Sequence, residues 1–281
     1  MIDIIGILTR TWLGMASPAP AQHTVPAQHT GAAHHVVTAP LVATPAAGSA
    51  ATAAAAPNAG ATVDNVQKFY ANIKRVTALF RQTVTNSTFG TNKTSNGTVW
   101  LAKPGKMRWD YTEKKKDKAQ VTKSFISNGK YLYVVEHGNK QVMKKNLEND
   151  LMPVAVTFLY GKGNLKAEFN AEIDKTGKYG GKGDIVLKMS PKQPSAQYKN
   201  LYLVVAPDNF RVKQSVIIDS SNNVNQFEFF APDFEKDVKD SIFEFDERSV
   251  KNYRIIDADQ AQGSGAPPAA LPPAALPPPV K

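Results

Sequence analysis

Cysteine is absent from the 281 residues. Its absence excludes a disulfide framework, zinc held on thiolates, cysteine catalysis and a lipid attached at an N-terminal cysteine of this chain. Histidine is scarce where a fold could use it. His23, His29, His34 and His35 lie in an N-terminal stretch of Ala, Pro and Thr, which leaves His137 alone downstream. Serine-histidine and multi-histidine metal constellations need more than that. Neither GxSxG, HExxH nor a Walker A loop is present, and no GxGxxG sits between a strand and a helix. The sequence therefore predicts no catalytic residue, no metal site and no cofactor. Long apolar runs are missing too. None reaches the roughly 18 to 20 residues of a membrane span.

Proline is abundant but misplaced for a core. Thirteen of the nineteen prolines lie in residues 16–62 and 258–281. These flanks hold too little apolar surface to offset the entropy of ordering them. The composition divides the chain into an Ala-Pro-His arm over 1–62, one folded domain over 63–256 and a Pro/Ala-rich tail over 257–281. The first residues read as a degraded export signal, or else the true start lies upstream of Met1. The apolar run Ile4 to Leu8 has no basic stretch before it, and Arg10 separates it from Trp12, Leu13 and Met15.

The net charge is +10. Outside 63–256 the charged residues are Asp3, Arg10, Asp257, Asp259 and Lys281, which sum to −1, so the domain carries +11. A basic surface suits an anionic partner or simply solubility. Arginine is sparse, with 7 residues against 27 lysines. That weakens bidentate readout of phosphates and bases, and no nucleic-acid partner is expected. The Lys-rich "EKKKDK" (113–118) reads as a solvated hairpin tip.

"TVDNVQKFYANIKRVTALFRQ" (62–82) places Val66, Phe69, Tyr70, Ile73, Val76 and Phe80 at steps of three and four. The spacing predicts an amphipathic helix, with Thr62 or Asp64 as its N-cap. From Phe80 the apolar period shifts to two. Runs of Val, Ile, Tyr, Phe and Thr near 80–89, 94–103, 106–113, 120–128, 130–136, 140–145, 165–173, 184–190, 198–206, 210–219, 223–230 and 242–246 are separated by Gly, Asn, Asp and Pro turns. They predict one large antiparallel sheet that curls to bury a face or closes toward a barrel. "NDLMPVAVTFLYGKG" (149–163) interrupts them. Leu151, Met152, Val154, Val156, Phe158 and Leu159 surround a short helix after Pro153, as in a helix buried on most sides.

"GTVWLAKPGKMRWDY" (97–111) concentrates the most information. Val99, Leu101 and Lys103 share one face of a strand, and Met107, Trp109 and Tyr111 share one on the next. Arg108 and Asp110 point the other way. Lys103-Pro104-Gly105 makes the turn. A basic side chain thus sits at the rim of an aromatic and aliphatic surface.

Phe80-Arg81-Gln82, the stretch Gly97 to Tyr111, the "SNGK" hairpin at 127–130 with Leu132 and Tyr133 after it, and "SIFEFDERSVKNYRII" (241–256) occur in the order and spacing of a known family. Over about 63–256 the chain resembles the bacterial periplasmic lipoprotein carriers of the LolA family. The resemblance implies a mainly β fold with helices: an unclosed antiparallel β-barrel of about 11 to 12 strands, with a helical lid over an apolar cavity. Leu101, Met107, Trp109, Tyr111, Met152, Val154, Val156, Phe158 and Leu159 would line that cavity. Lys103 stands where the family's lid-controlling basic residue is usually Arg, and Arg248 where proline is usual. The implied function is periplasmic and non-enzymatic. A monomer would take acylated lipoproteins from an inner-membrane ABC-type exporter and deliver them to an outer-membrane acceptor. The alternative within the same fold is a lipid or glycolipid binder, or an envelope-stress sensor.

Overall fold

The computed structural model describes residues 57–147, 163–195 and 198–263. Met152, Val154, Val156, Phe158 and Leu159, with the helix expected around them, lie outside the described residues. So do most of the two flanks.

Helix α1 spans Ala59–Asn72, and twelve strands succeed it: β1 (Arg75–Asn86), β2 (Thr91–Ala102), β3 (Lys106–Lys115), β4 (Lys118–Asn128), β5 (Tyr131–Glu136), β6 (Gln141–Asn146), β7 (Phe169–Ile173), β8 (Ile185–Pro191), β9 (Asn200–Val205), β10 (Val212–Ile218), β11 (Val224–Asp233) and β12 (Arg254–Asp257). Two short helices, α2 (Leu165–Glu168) and α3 (Ala258–Gly263), and two 3₁₀ turns, Asp240–Phe243 and Glu247–Val250, complete the described elements.

The strands form one sheet in the order β12-β6-β5-β4-β3-β2-β1-β11-β10-β9-β8-β7. β12 and β7 stand at its two ends, so the sheet is unclosed. All neighbours are antiparallel except β12, which runs parallel to β6. The sheet is strongly curled. β3 and β11 are three strands apart, which would be about 14 Å in a flat sheet. Yet the rings of Trp109 and Phe227 lie 5.4 Å apart on the inner face.

Two expectations need correction. The helix ends at Asn72 rather than near Phe80, and Asn58 caps it instead of Thr62 or Asp64: Asn58 Oδ1 accepts the Ala61 amide at 3.0 Å. Val76 and Phe80 fit helical spacing, but they equally fit period two with Ala78 and Gln82. In β1 the buried inner positions are Val76, Ala78, Phe80 and Gln82. The β-branched Val76, Thr77, Thr83, Val84 and Thr85 suit a strand paired on both sides. The second correction is the last strand. Residues 242–246 are not one; Asp240–Phe243 is a 3₁₀ turn, and the twelfth strand is Arg254–Asp257.

The inner face carries the main core, from Val76, Phe80 and Val99 through Trp109, Phe125 and Leu132 to Leu187, Leu203 and Phe227, with Val63, Val66 and Tyr70 of α1 laid across it. α1 reaches β7 at one end of the sheet. It also contacts Phe234 beyond β11, through Phe69 at 5.5 Å between ring centroids.

The outer face is covered as well. Residues 238–253 cross the outside of β2 to β6 and bury Val238, Phe243 and Val250 against Ala102, Ile126, Val135 and Val142. Trp100, which points away from the inner face, packs under this strap. The 174–184 loop turns Tyr179 onto Val186, Val204 and Val216.

Candidate functional site

The inner face of β1, β2, β3 and β11 is the candidate site. Leu101, Met107, Trp109 and Tyr111 are all buried there, as their alternation predicts. Their setting depends on Phe80. Its ring meets Trp109 edge-on at 5.1 Å and Tyr111 at 4.9 Å, and it reaches Phe227 at 6.2 Å. Offset and edge-to-face contacts of this kind add to simple burial. Phe80 pairs in register with Gly97. A Cβ on Gly97 would sit 2.6 Å from the Phe80 ring and 2.2 Å from the Asp110 carbonyl oxygen. The glycine that opens "GTVWLAKPGKMRWDY" is therefore the floor on which the aromatic cluster rests.

Sequence reasoning did not place Phe80, Phe227 and Phe229 among the cavity residues. The alternation of Asn225, Phe227 and Phe229 in β11 was a usable signal.

Lys103 lies at the far end of α1. Its ammonium donates to the carbonyl oxygen of Ala71, and its backbone N–H donates to Lys74 O at 3.0 Å. The last carbonyls of a helix lack intrahelical partners and carry partial negative charge, so a cation is favourable there. Partial burial lowers the Lys103 pKa from its ordinary value. Two further ties hold the same helix. Tyr70 Oη accepts the Val212 amide at 3.1 Å, and Lys166 of α2 pairs with Asp64 at 2.7 Å. Burial pushes the Tyr70 phenol up to about 12.

Beneath α1 an apolar cavity of about 30 Å³ is lined by Tyr70, Val76, Val99, Leu101, Val212 and Phe229, among others. One water needs about 10–15 Å³ on the same measure, so the cavity has room for only a few atoms.

Along the inner face the chemistry changes at Phe80 and Tyr111. One step further, Gln82 Nε2 donates to Asn225 Oδ1 at 2.8 Å, with both residues buried. Beyond them a cleft of about 670 Å³ is lined by Tyr111, Lys93, Glu113, Lys114, Lys123 and Glu136, among others. Lys123 and Glu136 are cross-strand partners paired at 2.9 Å. Burial lowers the Lys93 pKa against the opposing pull of Glu113. The outer face holds a different polar group. Both carboxylate oxygens of Asp110 accept from Arg108 Nε, at 3.0 and 2.9 Å, and Oδ1 also accepts from Ser124 Oγ at 2.7 Å. Arg108 Nη1 in turn donates to Ile242 O at 3.2 Å, which ties the pair to the strap.

Among the described residues, no group of three or more His, Asp or Glu side chains is placed to hold a metal ion.

The chain is 30% identical over 139 residues to the outer-membrane lipoprotein carrier protein of Chromobacterium violaceum, covering 49% of this chain and 61% of that protein. It is 26% identical over 149 residues to the protein of the same name from Cupriavidus necator, covering 52% and 66%. The chain thus spans just under two thirds of the length of these relatives. A solved LolA superfamily protein from Nitrosomonas europaea superposes with a TM-score of 0.38 at 12% identity, covering 68% of this chain and 100% of that one. Residues 71–246, well over half of the chain, match the family described as outer membrane lipoprotein carrier protein LolA, and the chain belongs to that family.

Proposed function

We propose that this protein shields the acyl chains of lipoproteins against its inner face and carries them across the periplasm, from the inner to the outer membrane. One observation carries the reading. A contiguous aromatic and aliphatic surface, centred on Phe80, Trp109 and Phe227, forms one core with Val63, Val66 and Tyr70 of a 14-residue helix. Each buried CH₂ of an acyl chain contributes about 0.8 kcal/mol, so an anchor does not cross water unaided at a useful rate. A carrier needs an apolar surface that is hidden when empty and exposed on demand. Flat aromatic rings, Met107 and Leu101 give non-directional contact that accepts chains of varied length. Nothing in this role requires bond chemistry, and the protein acts as a binding protein rather than an enzyme.

In this reading α1 swings away from the sheet while β1 to β11 stay paired. Lys103, Tyr70 and Lys166 are the polar ties that re-form when the chains leave. The protein would act as a monomer. An inner-membrane ABC-type exporter would load it, and an outer-membrane acceptor would empty it.

The test is transfer out of a bilayer. Vesicles carrying a fluorescent triacylated lipopeptide are incubated with the full chain and separated by flotation. The reading expects lipopeptide in the soluble fraction, in proportion to protein. Lipopeptide that stays wholly with the vesicles at excess protein would refute it.

A further inference from the structure

The two ends of the sheet differ in charge. Neighbouring strands alternate in direction, so the turns at 86–91, 115–118, 136–141 and 218–224 gather at one end, with Pro191 and Asn200 at the ends of β8 and β9 beside them. Within two residues of these positions stand eight exposed lysines, from Lys93 and Lys114 to Lys140 and Lys199, against four carboxylates, Glu113, Asp117, Glu136 and Asp219. At the opposite end the chain leaves β11 and crosses to β3 and β4. There residues 233–244 carry five carboxylates against Lys236 and Lys239. The cations beside them are already engaged, Arg75 with Asp237 and Lys106 with Asp240.

Phe89 stands at the tip of the basic end. Its ring is 74% exposed, more than Leu79, Phe230 or Ile255. An exposed ring needs no explanation by itself. This one, however, is braced. Asn86 is buried, and its Oδ1 accepts the amides of Thr88 and Phe89 at 2.9 and 3.0 Å. Gly90 closes the turn at φ +61°. The Ser87 amide donates to Asn223 Oδ1 at 3.0 Å, and the Ser87 hydroxyl donates to Ser221 O at 2.7 Å, which ties this tip to the β10–β11 turn. A bonded turn thus holds the phenyl ring out in water. The cleft lined by Lys93, Lys114 and Lys123 opens at the same end.

A projecting ring among lysines matches the surface of an anionic bilayer. The ring gains by entering the layer between head groups and acyl chains, while the lysines lay their stems along that layer and keep their ammonium groups at the phosphates. Lysine supplies the point charge this needs, and the planar fork of arginine is not required. An acidic protein patch would match the lysines equally well. It fits the ring less well, because protein interfaces seat their aromatic anchors in pockets near the centre of the contact, and Phe89 stands on a convex tip.

We propose that this end of the sheet is a docking surface for anionic membranes, in which Phe89 enters the bilayer interface and the surrounding lysines rest on phosphate head groups. The acidic end then points away from the membrane, so docking has one orientation and turns the cleft toward the lipid. The inference goes beyond the carrier reading and does not depend on it, since it concerns the protein without cargo.

The experiment floats the full chain with vesicles that hold no lipopeptide, made either of phosphatidylcholine alone or of equal parts phosphatidylcholine and phosphatidylglycerol. The protein should float with the mixed vesicles and not with the neutral ones, and salt should release it. Phe89→Ala should weaken the association about tenfold, the low end of what burying a phenyl ring contributes. Lys116→Gln, Lys118→Gln and Lys140→Gln together should weaken it by about fivefold per lysine. Lys175→Gln, Lys182→Gln and Lys236→Gln together remove the same charge from the opposite end and should change it far less. All of these side chains are exposed, so the variants should keep the natural Tm. Because the chain has no cysteine, Thr88→Cys accepts a single environment-sensitive dye. Its emission should shift to the blue on mixed vesicles and be quenched by spin-labelled lipid, while the same dye at Lys236→Cys should not respond. No flotation with mixed vesicles at low salt would overturn the proposal and leave the basic end to an acidic protein. Equal losses from the two lysine sets, or a dye at position 88 that stays in water while the protein floats, would overturn it too. None of these outcomes bears on lipopeptide transfer, which is read separately.

Discussion

The two faces of the sheet are covered in different ways. On the outside, the strap over residues 238–253 is tied along its length. Arg75 reaches Asp237 and the Val238 carbonyl, each at 2.6 Å, and Lys106 reaches Asp240 at 2.9 Å. Arg108 reaches Ile242, and Asn128 bonds Glu244 at 3.1 Å. Phe245 stacks on Tyr133 at 4.6 Å, and Tyr253 Oη bonds His137 Nδ1 at 2.9 Å. On the inside, α1 is a separate helix with a few polar ties, laid over rings that already pack against one another. Surface ion pairs are individually weak, but here they combine with hydrogen bonds, ring contacts and the burial of Phe243. A short helix is marginal without the tertiary surface beneath it. In the proposed reading the outer cover stays with the fold, whereas the inner cover exchanges with a ligand.

Four perturbations break or sharpen that contrast. Phe243→Ala removes the ring at the centre of the strap and should cost about 4 kcal/mol of global stability, read as a large fall in Tm. A loss confined to hydrogen exchange within 238–253 would show that the strap is also a separable lid. Gly97→Ala attacks the inner face at its floor. The added methyl has no room beside Phe80 and the Asp110 carbonyl, so a cost of about 3 kcal/mol is expected, with the near-UV signal of Trp109 altered.

Lys103→Ala is milder and more local. It should cost about 1 kcal/mol or less, through loss of a charge at the C-terminal end of α1. The amides of 59–72 should exchange faster while those of the strap do not change. Equal acceleration on both faces would erase the distinction between the covers.

The smallest effect is a pH dependence at His137. Partial burial lowers its folded-state pKa, opposed by Asp110, so the unfolded chain binds the proton more readily. Stability should be full above the unfolded value of about 6.5 and fall as pH drops from there toward the folded pKa. His137→Gln should flatten that slope. An unchanged slope would mean that groups other than His137 set it.

The inner face was more legible in the sequence than the outer cover, for a physical reason. Strands write their inward residues at period two, and Met107, Trp109 and Tyr111 keep to it without interruption. The strap has no period. Val238, Phe243, Val250 and Tyr253 are delivered by 3₁₀ turns and bends, so their burial depends on contacts distant in sequence. The end of α1 was ambiguous because Val76 and Phe80 satisfy both periods, and pairing with β2 and β11 decides it. Lys103 was recognisable as a basic residue at an apolar rim. Its bond to Ala71 was not, since it depends on where the helix stops. Phe227 and Phe229 alternate visibly, but only the curl of the sheet brings them against Trp109.

The most direct test of the central claim places a photoreactive diazirine near the end of an acyl chain of a triacylated lipopeptide. The full chain is loaded, irradiated, and mapped by mass spectrometry. The account predicts adducts on inner-face residues of β1, β3 and β11, around Phe80, Trp109 and Phe227, and hydrogen exchange that changes in 59–72 on loading. Adducts confined to the outer strap over 238–253, with α1 unaffected, would contradict it.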